Sequence, residues 1–189
     1  MFSISKFFSK LFPRKQKRKP PANTLPPDGT MTHSHNPGGV DSLDLAHFVM
    51  YGQPGAPTEH RVLPTAWKTK PFTRSVITTP WSVPITPPQL TALINGFKPR
   101  EMEDKWFVCS EGEVKEGETV NLNFYRSWTG RKISTMEILV GREGEGGRVS
   151  GLLWEGSKDV VKEQDSEGVK DVVREVCRWV LGAELGADE

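Results

Sequence analysis

An α+β fold is predicted for this sequence, with a four-stranded antiparallel meander, helices packed on one face and a disordered N-terminal tail. Three patterns predict it: four alternating apolar segments separated by short turns, a closing segment with valines at helical spacing, and a stretch at residues 20–39 with almost no large apolar residue. The chain has 189 residues, of which 35% are hydrophobic. That suits one globular domain with additional unstructured length.

The composition divides the chain into three parts. Residues 1–40 form a basic amphipathic segment followed by a flexible linker, because residues 20–39 contain almost nothing that can be buried. Residues 41–85 form an extended, proline-rich segment with a short helix, which Gly52 and Pro54 end. Residues 86–185 form the α+β domain.

The N-terminal segment predicts a targeting or docking function. Five apolar residues repeat at helical spacing and precede a basic cluster at residues 14–19: Ile4, Phe7, Phe8, Leu11 and Phe12. Mitochondrial import is the favoured interpretation, and attachment to a membrane surface or nuclear import are the alternatives. Residues 1–19 would then contact an import receptor or a lipid surface, and the protein would be intracellular.

The charge pattern argues against duplex nucleic acid as a partner. Seven basic residues and no acidic ones precede Asp28, which leaves 18 basic residues against all 24 acidic ones in the rest of the chain. The body is therefore mildly acidic, unlike a duplex-binding domain. Only two cysteines are present, too few for a disulfide scaffold or a zinc knuckle. No metal or other cofactor is predicted.

The first helix of the domain has clear start and stop signals. Thr86 is a good N-cap, Pro87 suits the first helical position, and Gln89 completes a capping box. An apolar stripe follows, and Gly96 stands where a C-cap would form. We therefore expect a helix from Pro87 to the residues before Gly96.

Four strands and a closing helix follow. The strands are predicted at residues 106–110, 119–128, 132–140 and 148–154, with a glycine-rich hairpin turn at residues 141–147. Short connections make neighbouring strands antiparallel. The helix is predicted at residues 167–181, with Ser166 as its cap.

Arg126 is the residue that conflicts with its surroundings. Strand alternation places it on an apolar row with Phe124 and Trp128, where a guanidinium is costly unless it is paired. Glu111, on the neighbouring strand, is the nearest carboxylate by topology, and the preceding loop supplies rivals: Glu101, Glu103 and Asp104. One interpretation is a structural ion pair that fixes strand register.

The other interpretation is an anion site. Arg126 would bind an acidic or nucleotide-like ligand, with Trp106, Trp128 and Trp154 as stacking surfaces. The predicted ligand-binding residues are therefore Arg126, Trp128, Trp106, Glu111 and Trp154.

No catalytic arrangement is evident. All four histidines precede residue 61, outside the best-signalled part of the domain, and the serines lack a nucleophile elbow. Cys109 is expected to be buried and inert. Glu111 and Glu155 are the only candidates for a paired general base, and the spacing does not require that they meet.

Two segments resemble a known family. Residues 105–112 read KWFVCSEG and residues 124–130 read FYRSWTG. They resemble a small uncharacterised domain with the pattern W-F-x-x-x-E-G followed by R-S-W-T-G, which occurs alone or beside ADP-ribosylglycohydrolase and macro domains. The resemblance implies an α+β accessory module with an ADP-ribose-linked or NAD-linked role, and it carries over no catalytic residues.

We therefore expect a non-catalytic binding module that recognises a small anionic ligand or an acidic partner. The alternatives are a hydrolase acting on an ADP-ribose-like linkage with Glu111 or Glu155 as base, and an interaction protein recruited to a membrane. Whether the protein is an enzyme stays open at this point.

Overall fold

A computed structural model describes residues 42–56, 58–73, 75–157 and 165–188, with side chains from residue 45 onward. Residues from Val40 onward belong to one compact unit. The predicted N-terminal helix and linker lie outside the described residues. The elements in chain order are α1 (Ser42–Tyr51), β1 (Val76–Thr79), β2 (Val83–Ile85), α2 (Pro87–Asn95), β3 (Trp106–Glu111), β4 (Thr119–Arg126), β5 (Lys132–Val140), β6 (Gly147–Glu155) and α3 (Ser166–Leu181).

The fold is α+β with an antiparallel sheet, as predicted, but the sheet has six strands rather than four. The order is β1-β6-β5-β4-β3, and β2 also pairs with β6. The four predicted strands form the meander β3 to β6. The two additional strands come from the proline-rich segment, which was expected to be extended surface chain.

Local sequence patterns do not predict β1 and β2, and the reason is the same for both strands. β1 has four residues and β2 has three, and both pair only with β6, far along the chain. Neither strand is therefore joined to its partner by a short hairpin turn that would indicate it in the sequence. Pro84 lies inside β2, where it is tolerated because β2 lies at the edge of the sheet and leaves its other side unpaired.

The main core lies between the helices and one face of the sheet. The valines of α3 face this core, as their spacing predicts, and all of its apolar repeat is buried: Val169, Val172, Val173, Val176 and Val180. Leu93 of α2 and the loop residue Phe97 fill the same layer. On the sheet side, Trp106, Phe124 and Trp154 belong to this core.

The helix caps differ in how well they were predicted. Around α2, the Thr86 backbone N–H donates to Gln89 Oε1 at 2.7 Å, which confirms the capping box, and Gly96 has a φ of 70° at the C-cap. At α3, however, the cap is Asp165, whose carboxylate accepts from the Gly168 N–H at 2.8 Å. The prediction of Ser166 was one residue late, because two good capping residues stand side by side.

The extended segment before β1 covers part of the opposite face of the sheet. Val62, Ala66 and Trp67 pack against a second cluster of buried residues that includes Phe107 and Tyr125. The Trp67 ring lies parallel to that of Phe107, 6.1 Å between centroids. This segment covers the second face at β3 and β4 only, because Leu139 of β5 is 41% exposed on the same face.

Candidate functional site at the Arg126 end of the sheet

Arg126 is the last residue of β4, and its side chain belongs to the helix-facing row of the sheet. The register pairs it directly with Trp106 of β3. The guanidinium carbon lies 4.3 Å from the centroid of the Trp106 ring, a cation–π contact. Two of the predicted site residues, Arg126 and Trp106, therefore meet.

The hydrogen-bond partners of Arg126 come from α1 and carry no charge. Nη1 donates to the Met50 carbonyl oxygen at 2.6 Å, and Nη2 contacts the Met50 Sδ at 2.8 Å. The Trp106 indole N–H donates to the same carbonyl oxygen at 3.2 Å. Among the described residues, Arg126 forms no ion pair with a carboxylate.

The ion pair predicted between Arg126 and Glu111 is therefore absent. The strand register places Glu111 opposite Asn121, at the far end of β4 from Arg126. Its carboxylate accepts a hydrogen bond at 2.8 Å from the side-chain amide of Asn123. Alternation shows which face a residue occupies, but where each strand begins decides which residues are opposite one another.

Burial governs the electrostatics at this end of the sheet. It lowers the pKa of Arg126 to about 10, although nearby Tyr51 opposes the change, so the guanidinium stays protonated at neutral pH. Burial and the Glu175 carboxylate raise the pKa of Tyr51 to about 12, against the opposing effect of Arg126. Arg126 is thus a desolvated cation that only neutral groups contact, although part of the side chain still reaches solvent.

A histidine that the sequence analysis set aside holds α1 in place. His47 Nε2 lies 2.6 Å from Glu175 Oε1 on α3, and its ring contacts Tyr51 and Trp179 with centroids 4.7 and 4.6 Å away. The Trp179 indole N–H donates to the Gly52 carbonyl at 3.0 Å. The four-residue spacing of His47 and Tyr51 indicates a shared helix face, but no local signal identifies the distant Glu175.

Trp128 lies outside the row that alternation predicts. Because β4 ends at Arg126, Trp128 lies in the following turn, with 66% of its surface exposed. Its indole N–H donates to the Met102 carbonyl at 3.0 Å, and Lys105 Nζ lies 4.9 Å from the ring centroid. Trp128 is an exposed aromatic surface and makes no contact with the guanidinium.

Trp154 and Glu155 are core residues of β6. Trp154 is 5% exposed, and its indole N–H donates to Thr79 Oγ1 at 3.1 Å. Glu155 has no exposed surface, and it accepts backbone N–H bonds from Thr73 and Ser157 at 2.5 and 3.0 Å. Across the sheet, Glu111 pairs with Asn121, Asn121 with Glu137, and Glu137 with Gly151 of β6. The residue of β6 in line with Glu111 is therefore Gly151 and not Glu155, so the two glutamates do not meet.

Cys109 is buried, as expected, on the opposite face of the sheet. Burial raises the pKa of its thiol to about 12, so the thiol stays protonated and unreactive. Beside it, Asn123 Oδ1 accepts hydrogen bonds from Lys132 Nζ at 2.9 Å and Thr135 Oγ1 at 2.8 Å. These polar groups satisfy one another, which is the pattern of a structural network.

Within the described part of the chain, no group of three or more histidine, cysteine, aspartate and glutamate side chains is placed to hold a metal ion. No helix in that part is long and apolar enough to cross a membrane. Comparisons with protein-family models, with curated proteins and with solved structures find no match to this chain. The site must therefore be interpreted from its own geometry.

Proposed function

We propose that this protein is a non-catalytic binding domain that takes up the anionic group of a small ligand or an acidic partner at Arg126. One observation carries the proposal: a largely desolvated guanidinium has a carbonyl oxygen and a thioether as its hydrogen-bond partners and, among the described residues, no carboxylate. Leaving a buried charge without a counterion is costly. An anionic ligand would remove that cost.

The surroundings of Arg126 supply further groups for a ligand. In the described part of the chain, no group hydrogen-bonds the Tyr51 hydroxyl, which leaves it available as a donor. Lys105 and the exposed ring of Trp128 lie at the same end of the sheet, where Ser127 donates to the Asp104 carbonyl. A ligand with an anionic group and a flat apolar part would find complementary groups there.

The hydrolase alternative has no comparable observation in its favour. It requires a carboxylate that a substrate can reach. Glu155 is fully buried, and its carboxylate accepts hydrogen bonds from backbone N–H groups. Glu111 is exposed but lies on another row and another face, away from Arg126 and the exposed tryptophan. An ADP-ribose-linked role therefore rests on the resemblance of residues 105–112 and 124–130 alone.

A thermal-shift screen tests the proposal. Full-length protein is mixed with ADP-ribose, NAD, nucleotides, phosphosugars and dicarboxylates, and the shift is compared among wild type, Arg126→Ala and Arg131→Ala. Arg131 is an exposed arginine in the turn after β4, which makes it the matched control. We expect a ligand that raises the Tm of wild type and Arg131→Ala but not of Arg126→Ala.

Circular dichroism must show that Arg126→Ala is folded. Arg126→Lys gives a second comparison, because it keeps the charge but loses the planar pair of donors. If no compound stabilises the wild type more than Arg126→Ala, Arg126 is not an anion site and the proposed function is wrong.

A further inference from the structure

The guanidinium of Arg126 is already occupied by a neighbouring residue. Its two Nη donors contact two atoms of a single residue, the carbonyl oxygen and the Sδ of Met50, at 2.6 and 2.8 Å. A bound carboxylate can likewise contact an arginine at two points, through its two oxygens. The Trp106 indole N–H adds a third donor, 3.2 Å from the carbonyl oxygen.

Met50 is a weak occupant for such a strong group of donors. A backbone carbonyl is neutral and a thioether is a poor acceptor. A carboxylate would in addition supply the negative charge that Arg126 lacks among its described partners. A planar carboxylate can accept from both Nη donors through its two oxygens, while the Trp106 ring keeps its cation–π contact with the guanidinium.

The helix that carries Met50 is partly exposed. None of the described side chains from Leu45 to Tyr51 is fully buried. Leu45, Phe48 and Val49 are 59%, 40% and 40% exposed, so α1 turns much of its apolar surface outward. Besides Met50, His47 of α1 contacts Glu175 and Trp179 on α3, and Tyr51 packs against the main core. Lys105 lies over the Phe48 ring, and the Gly52 carbonyl that follows α1 accepts from Trp179.

We propose that the C-terminal turn of α1 is a displaceable plug, and that the ligand is a carboxylate, free or on a peptide side chain, that replaces the Met50 carbonyl and Sδ on Arg126 and Trp106. The ligand class rests on the proposed binding function of Arg126. Binding and release of α1 are then a single equilibrium. The apparent dissociation constant equals the intrinsic one divided by the fraction of molecules in which α1 has moved away.

This linkage predicts that weakening α1 tightens ligand binding. His47→Ala removes the contact with Glu175 and leaves Arg126, Trp106 and Met50 intact. We expect it to bind carboxylates about 2- to 5-fold more tightly than wild type, the range for a partly exposed ion pair. His60→Ala is the matched control, because His60 is an exposed histidine outside α1. A loss of structure alone would not tighten binding.

The experiment is a calorimetric titration of the full chain with sodium succinate, a glutamate-rich peptide and inorganic phosphate. Binding of succinate identifies a free carboxylate as sufficient, and binding of the peptide alone identifies a side-chain carboxylate. Hydrogen exchange is then measured on wild type with and without saturating ligand. We expect the α1 amides to exchange faster in the bound state. The carboxylate affinity of His60→Ala should equal that of wild type.

The outcomes separate the two levels of inference. If neither wild type nor His47→Ala binds any probe, the plug is wrong. The proposed function is wrong as well only if the thermal-shift screen also finds no ligand that requires Arg126. If a carboxylate binds through Arg126 but His47→Ala gains no affinity and α1 exchange is unchanged, the anion site stands and the plug is wrong. If phosphate alone binds, the assignment of a carboxylate is wrong.

Discussion

Arg126 shows how far a single residue can be interpreted before its neighbours are known. Alternation correctly placed it on an apolar row with Phe124, and the strand register pairs it with Trp106. The predicted carboxylate partner was wrong because the nearest acid in topology lies at the other end of the strand pair. Its actual partner, Met50, is an apolar residue on a distant helix, which no charge pattern could identify.

Replacing Arg126 by methionine tests whether the residue is structural. Arg126→Met keeps the length of the side chain and removes an uncompensated buried charge, while the Met50 carbonyl keeps its bond from Trp106. We expect the free energy of unfolding to stay within about 1 kcal/mol of wild type, or to rise. Urea denaturation measures it. A loss above about 3 kcal/mol would mean that Arg126 primarily holds the fold together.

Glu175 gives a pH-dependent prediction at the same scale. Although burial opposes the change, hydrogen bonds from Arg178 and His47 hold the pKa of Glu175 below its usual value of 4.5. The stabilisation is therefore present above pH 4.5 and is lost as the pH falls through the lower pKa of the folded state.

Glu175→Gln should accordingly be less stable than wild type at pH 7, by about 1 kcal/mol or less. The difference should be smaller at pH 3 than at pH 7, because protonation of the wild-type carboxylate removes its negative charge as the pH falls. Urea titrations at both pH values check this, with Glu103→Gln as an exposed control. A difference that is equal at both pH values would contradict the assignment.

At the scale of elements, the sequence predicted the helices and strands whose signals lie within one local segment. The meander β3 to β6, α2 with its capping box, and the amphipathic α3 all follow from periodicity and turn residues within one segment. β1 and β2 do not, since their strand character depends on pairing with β6. The contact of α1 with Glu175 is equally non-local, so this part of the site was missed.

The cap of α3 offers a paired test at this scale. Asp165→Ala should lower the free energy of unfolding by about 1 kcal/mol, because it removes the acceptor of the Gly168 N–H. Ser166→Ala, one residue later, should change it by only a few tenths of that amount, because Ser166 is already inside the helix. Thermal or urea denaturation of both variants decides between the two residues, and the reverse order would restore Ser166 as the cap.

At the scale of the whole molecule, the first 40 residues remain a separate prediction. Residues 20–39 offer almost no apolar surface to bury, so deleting residues 1–40 should leave the Tm nearly unchanged. The deletion should change where the protein goes, which a fluorescent fusion shows. A Tm lowered by several degrees would mean that this segment contributes to the folded body.

Two variants of the full chain separate the targeting mechanisms. If the apolar helical face is the signal, changing Phe7 and Phe8 to serine should abolish localisation. If nuclear import is the mechanism, neutralising the basic residues from Arg14 to Lys19 should abolish it instead. A full-length fusion with the same cellular distribution as the truncated protein would show that residues 1–19 contain no targeting signal.

The position of β6 has a consequence for synthesis of the chain. β6 pairs with β5 on one side and with both β1 and β2 on the other. It is nevertheless the last of the six strands of this sheet to be synthesised. During translation, Val76–Thr79 and Val83–Ile85 leave the ribosome long before the strand that completes them. Until then their β-branched residues have no partner in this sheet, and they can pair with other nascent chains. A ribosome that stalls before Gly147 would therefore hold the protein at its most aggregation-prone stage.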